Sequence, residues 1–129
     1  MWQSLIENKE SIEAIYGTDI PALADIQFHE LKITFGEDNI CNLRFDFNAL
    51  PNKLPEKWVL KEVKTVQLNL TLIACKIISF EMEGGCVKGD IEISPLDIEK
   101  LIVFKVNRKN VFIIKAKWIF IESLNGYLR

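Results

Sequence analysis

Apolar and polar side chains alternate along the middle of the chain, on both sides of a Gly-Gly pair at 84–85. Residues 65–72, 78–83 and 87–93 carry apolar side chains at every second position. A period of two is typical of a strand that buries one face, so each range is predicted to be a strand. A Gly-Gly loop favours a tight hairpin, because glycine adopts positive φ at no steric cost, and the apolar faces of the second and third ranges match across it. The predicted pairs are Met82 with Val87 and Glu81 with Lys88.

The first residues of the chain follow a helical period instead. Leu5, Ile12 and Ile15 fall on one stripe of a helix over 2–16, while acidic residues lie on its other faces. We expect Trp2 to anchor this helix on the sheet.

Two further strands are predicted at 25–35 and 41–47. In the first of them the apolar parity changes at His29-Glu30, which is typical of a β-bulge. The apolar faces of the two strands match only if the loop around 36–39 has an odd number of residues, three or five.

The longest irregular segment is predicted at 48–64, because its two prolines exclude a central strand. Trp58, Val59 and Leu60 are expected to hold this segment against the core. The residues after the third strand favour a turn only weakly. The third and fourth strands therefore form either a hairpin, which we expect, or one long bent ribbon.

Residues 102–106 and 111–121 are predicted to form the last hairpin, around a turn at 107–110. The chain therefore predicts a mainly β (α+β) fold, with residues 1–129 as a single domain. One N-terminal helix packs on a seven-stranded antiparallel meander, which curls into an open barrel or folds into a sandwich.

Composition and charge exclude several classes of protein. The chain has 129 residues, 49% of them hydrophobic and 26% charged, which is typical of a folded domain. Its net charge of −2 is not that of a dedicated nucleic-acid binder. No apolar run approaches the ~20 residues of a membrane helix, and the N-terminus lacks the features of a signal peptide. The three cysteines, without CxxC spacing, are interpreted as reduced thiols of a cytoplasmic protein.

Candidate catalytic residues are few. His29 is the only histidine, and a histidine beside a glutamate makes neither a catalytic triad nor a zinc site. The cysteines have no second histidine to activate them, so we expect neither catalytic residues nor metal ligands nor a cofactor.

The central hairpin would gather carboxylates on its polar face. Such a face is typically solvated, but it can also serve protein recognition. The candidate partner-binding residues are Glu81, Glu83, Asp90 and Glu92.

Short motifs in a fixed order make the chain resemble the immunity protein 50 family, and the resemblance covers essentially the whole chain. The most distinctive of them is Pro51-x-x-x-Pro55-x-Lys57-Trp58. The others are Trp2, Tyr16-Gly17, Pro21-x-Leu23, Ile26-x-x-His29-Glu30-x-x-Ile33, Val66-Gln67-Leu68, Phe80-x-Met82-x-Gly84, Gly89-Asp90-Ile91, Ser123 and Tyr127.

The resemblance implies a mainly β protein encoded beside a bacterial polymorphic toxin. Such a protein binds and neutralises its cognate toxin in the cytoplasm of the producing cell, by stoichiometric contact and without catalysis. It implies a protein partner, with no nucleic acid and no membrane. The alternative is a small-molecule-binding β-barrel module, since a curled sheet can enclose a pocket.

Overall fold

Alternating apolar and polar residues form eight antiparallel strands in the computed structural model, which describes residues 1–47, 49–83 and 87–128. The strands make one sheet in the order β4-β7-β6-β5-β1-β2-β3-β8, with β4 and β8 as its two edges. The fold is therefore mainly β, as predicted, with one strand more than expected. The strands are β1 (Ile26–Thr34), β2 (Ile40–Phe47), β3 (Thr65–Ile73), β4 (Lys76–Phe80), β5 (Val87–Pro95), β6 (Lys100–Val106), β7 (Lys109–Ala116) and β8 (Trp118–Tyr127).

Two long bent strands bring the ends of this sheet together. β3 continues into β4 through Ala74, which has a φ of +57°, and β7 continues into β8 through Lys117. The Lys117 amide donates to the Ile73 carbonyl at 3.1 Å, so both strands bend at the same level. β3 pairs with β8 and β4 pairs with β7. The predicted hairpin between the third and fourth strands is wrong, and the bent ribbon is the observed form.

The predicted central hairpin is also wrong. Phe80 of β4 lies opposite Phe112 of β7, and Ile91 of β5 lies opposite Phe104 of β6. Val87 lies opposite Phe28 of β1 rather than opposite Met82. Strands β6 and β7 thus separate β4 from β5. The predicted Gly-Gly turn itself lies outside the described residues.

The first hairpin has the predicted form. β1 and β2 pair with a bulge between Phe28 and Glu30, and the loop between Thr34 and Ile40 contains five residues. The β6–β7 hairpin is tighter than predicted. Its loop is the pair Asn107-Arg108, both at positive φ, as two-residue turns of the primed type require.

The inward faces of all these strands meet in one hydrophobic core. Leu43 lies opposite Leu70, and Leu70 lies opposite Ile121, so one buried row crosses β2, β3 and β8. Ile102 and Ile114 form a similar row across β6 and β7. Because one face of a single sheet lines one core, the sheet wraps around its own apolar side chains.

The N-terminal segment is not one continuous helix. A 3-10 turn at Trp2–Leu5 and the helix α1 at Glu10–Tyr16 replace the predicted helix over 2–16. The Asn8 side chain between them bonds both the amide and the carbonyl of Ile121, at 2.7 and 2.8 Å. The helical period breaks there because Asn8 binds the edge of β8.

The long segment between β2 and β3 contains a short helix, α2 (Glu56–Leu60). Trp58 is buried as predicted, and its ring lies so close to Gly126 of β8 that a Cβ at that glycine would be only 2.9 Å from it. Val59 and Leu60, in contrast, are 56% and 79% exposed, so the prediction that they contact the core is wrong.

Tyr16 makes the stability of the fold depend on pH in the alkaline range. Its hydroxyl donates to the Ala49 carbonyl at 2.8 Å, and burial raises its pKa above the ordinary value. A raised pKa in the folded state stabilises the protein below the unfolded pKa of ~10, and this contribution is lost as the pH rises above it.

We therefore expect Tyr16→Phe to flatten the alkaline limb of the stability curve. The variant should lose about 1 kcal/mol near neutral pH, from the missing hydrogen bond. Above about pH 10 the free energy of unfolding of the wild type should fall more steeply than that of the variant. Urea unfolding of both proteins at a series of pH values measures this difference, and parallel curves would contradict it.

Candidate functional site

A cleft opens beside the β6–β7 turn, where the chain leaves β4. Its volume is about 640 Å³. The Glu81 amide donates to the Val111 carbonyl at 2.7 Å, so the chain continues along β7 after β4 ends. The cleft is lined by Glu81, Met82, Glu83, Val87, Val106, Asn107, Lys109, Asn110 and Val111.

Two of the predicted partner-binding residues lie at this cleft. Glu81 and Glu83 are exposed, and Met82 between them packs against the core. The alternation seen in the sequence therefore persists beyond the end of β4, with both carboxylates on the side away from the core. Within the described part of the chain, neither carboxylate forms an ion pair, so both are available to a partner.

The other two predicted residues lie on β5, which is separated from β4 by the two strands β7 and β6. The Asp90 Oδ1 atom accepts a hydrogen bond from the Asp25 amide at 2.7 Å. The Glu92 carboxylate forms an ion pair with the Lys105 ammonium at 3.0 Å. The four acidic residues therefore do not share one hairpin face, contrary to the basis on which they were grouped.

A buried acid–histidine pair was missed by the sequence analysis. Nε2 of His29 lies 2.7 Å from Oδ2 of Asp46, and both side chains are almost fully buried. The Gln67 amide donates to the other carboxylate oxygen at 3.3 Å. Asp46 takes the outward parity of β2 next to the bulge, which is the signal that could have indicated the contact. The pair compensates a buried carboxylate, and its geometry is that of a structural contact.

The described cysteines are buried thiols. Cys41 lies on β2, and the Cys75 thiol donates to the Leu72 carbonyl at 3.0 Å. A hydrogen bond with Cys41 and burial raise the pKa of the Cys75 thiol, so it stays protonated near neutral pH and is a poor nucleophile. The third cysteine lies outside the described residues.

The described ranges of the chain contain no group of three or more His, Cys, Asp or Glu side chains placed to hold a metal ion. In the same ranges, none of the helices has the length and apolar character that crossing a membrane requires.

A comparison with known protein families identifies the family of this chain. The sequence model described as immunity protein 50 matches residues 8–127, which is nearly the whole chain. The chain belongs to the immunity protein 50 family. No curated protein and no solved structure gave a match.

The matched range of this immunity protein 50 member includes all eight strands and the cleft. It also includes Pro51-x-x-x-Pro55-x-Lys57-Trp58, the most distinctive motif of the sequence resemblance. In that segment Trp58 packs on Gly126, so the motif joins the β2–β3 connection to the edge strand β8.

Proposed function

We propose that this protein neutralises a cognate bacterial toxin by binding it stoichiometrically, without turnover, in the cytoplasm of the cell that makes both. The observation that carries the proposal is the family match over residues 8–127. Inhibition by contact requires a rigid surface with accessible side chains. It does not depend on catalytic residues. The wrapped sheet and the exposed carboxylates at the cleft are consistent with that requirement.

The cleft is the part of this surface that we assign to the toxin. Glu81 and Glu83 are the two predicted partner-binding residues with no ion pair among the described residues, so their charge is directed to solvent. Asp90 and Glu92 already bond Asp25 and Lys105. We therefore expect the first two residues to contact the toxin, while the other two contribute only to the long-range field.

Reversing both cleft charges should slow the association with the toxin. We expect Glu81→Lys with Glu83→Lys to reduce the association rate constant by about three- to tenfold, because charge chiefly steers the encounter. The effect should shrink as salt is added, since the Debye length falls from ~10 Å at 0.1 M to ~3 Å at 1 M. Stopped-flow mixing with the toxin domain encoded beside the gene measures the rate constant.

The matched control makes the same change of net charge elsewhere. Asp38 and Asp97 are exposed, on the β1–β2 and β5–β6 loops, and reversing both adds as much positive charge. The association rate constant of this control should lie closer to that of the wild type than that of the cleft variant does. Equal slowing by the two double variants would mean that only net charge matters, and would remove the cleft from the interface.

The runner-up function is that of a small-molecule-binding module, which the cleft favours. Its volume of about 640 Å³ falls within the range of ligand sites, and carboxylate, amide and ammonium groups converge on it. Failure of the wild-type protein to bind the neighbouring toxin would reject immunity and promote this alternative. Ligand-dependent shifts of the thermal midpoint, abolished by the Glu81 and Glu83 reversals, would then support it.

A further inference from the structure

The two edge strands of the sheet differ in whether another part of the chain covers them. Edge strands expose unpaired backbone groups, and folded proteins usually cover or guard them. The N-terminal segment covers β8, because the Glu7 amide donates to the Ile119 carbonyl at 2.9 Å and Asn8 bonds both backbone groups of Ile121. One edge is thus closed by the protein itself.

The other edge, β4, is open within the described part of the chain. β4 pairs with β7 on one side and has no described strand on its other side. Because the Glu81 amide points to Val111, and backbone groups of successive strand residues point to opposite sides, the amide and carbonyl of Phe80 point to the open side. These groups can accept a further strand.

Apolar side chains lie along the same edge. Ile78 is 47% exposed at a bulge in the β4–β7 pairing, and Phe80 is 49% exposed. The Phe80 ring is fixed by stacking on Phe112, at 6.3 Å and 8° between the ring planes. The one charged residue of β4, Lys76, lies at its first position, whereas Ile78 and Phe80 in the rest of the strand offer a partner apolar contact.

Charge specifies the partner further. Glu81 directly follows Phe80, Glu83 comes two residues later, and both line the adjoining cleft. A strand laid along β4 would therefore reach two carboxylates at the end of its path. A lysine or arginine at that point of the strand would be complementary to them.

We propose that β4 binds an extended segment of the toxin as an added strand. Apolar residues of that segment contact Ile78 and Phe80, and a basic residue reaches Glu81 and Glu83. Backbone pairing gives such an interaction affinity, and the side-chain contacts give it specificity. The inference rests on the proposed function, because its occupant is the toxin.

The decisive comparison separates the backbone of Phe80 from its side chain. Phe80→Ala removes the ring and keeps the amide, whereas Phe80→Pro removes both, at an edge position whose amide has no partner in β7. We expect Phe80→Pro to raise the Kd for the neighbouring toxin domain at least about tenfold above that of Phe80→Ala. Circular dichroism and thermal midpoints establish that both variants are folded.

A second pair of variants does not depend on proline being tolerated. Ile78→Lys places a charge on the open edge, while Ile98→Lys makes the same change at a 75% exposed residue of the β5–β6 loop. The first should weaken toxin binding about tenfold and the second should leave it unchanged. Hydrogen exchange should also show that bound toxin protects the amide of Phe80.

Several results would overturn the inference. A wild-type protein that binds the toxin, combined with equal Kd values for both Phe80 variants and for both lysine variants, rejects added-strand binding and leaves the proposed function intact. A homodimer that Phe80→Pro dissociates, with toxin binding unchanged, assigns the edge to a second copy of the chain. A wild-type protein that does not bind the toxin rejects the proposed function, and the inference with it.

Discussion

Replacing Gly89 by alanine is expected to lower the free energy of unfolding by about 3 kcal/mol, the upper end of the usual range for overpacking. A Cβ at Gly89 would clash with the Lys105 carbonyl oxygen and approach a Phe104 ring carbon at 2.9 Å. The backbone of β6 cannot yield without disturbing its pairs with β5 and β7. Gly89 also lies opposite Ile26, in the three-residue pairing that joins β5 to β1.

Denaturant unfolding, followed by tryptophan fluorescence, measures this loss. Gly36→Ala is the matched control, since a Cβ there would meet only the Asp38 carbonyl oxygen, at an ordinary 3.5 Å. That variant should change the stability by less than about 0.5 kcal/mol. Equal midpoints for the two alanine variants would mean that β5 and β6 are not as close at Gly89 as described.

Replacing Trp2 by alanine is expected to lower the free energy of unfolding by about 3–5 kcal/mol. The side chain is 8% exposed, and its ring contacts that of Phe47 at 6.3 Å between centroids. Its indole amine donates to the Pro21 carbonyl at 2.9 Å. The substitution would therefore leave a cavity and an unpaired carbonyl between the N-terminal segment and the sheet.

Trp118→Ala provides the comparison for this effect. Trp118 is 44% exposed at the start of β8, so its truncation should cost only about 1 kcal/mol. Urea unfolding of both variants gives the two differences in free energy. A loss below about 1 kcal/mol for Trp2→Ala would show that the N-terminal segment is not docked in solution.

Some local features of the fold could be predicted from sequence. The bulge after Phe28 and the five-residue loop before Ile40 follow from the parity of neighbouring residues, which the chain displays directly. The irregular segment before β3 follows from its prolines in the same way. Each of these features involves residues close together in sequence, where few alternative pairings compete.

The partners of β4 and β5 could not be predicted in this way. Placing Met82 opposite Val87 matches apolar faces, but so does placing Phe80 opposite Phe112 and Ile91 opposite Phe104. Every strand with one apolar face satisfies the parity rule with every other such strand. The choice depends on the packing of the whole core, including the close approach of Gly89 to β6, which no local pattern records.

For the candidate site, only the proximity of Glu81 to Glu83 could be predicted from sequence. Glu81 and Glu83 lie together at the cleft because they are neighbours in sequence and alternate with Met82. Asp90 and Glu92 were grouped with them only through the wrong hairpin. The contact between His29 and Asp46 joins neighbouring strands at a bulge, and sequence spacing does not specify which side chains meet there.

The position of β8 makes completion of the sheet depend on the last of its eight strands to be synthesised. β8 follows every other element along the chain, yet it lies between β3 and the N-terminal segment, with Asn8 bound to Ile121. Before β8 has been synthesised, one edge of β3 is unpaired and Asn8 has no strand to bind. Pairing over such a long sequence separation is also slow to form. We therefore expect a chain that stops before β8 to remain unfolded, and the sheet to form only after β8 has been synthesised.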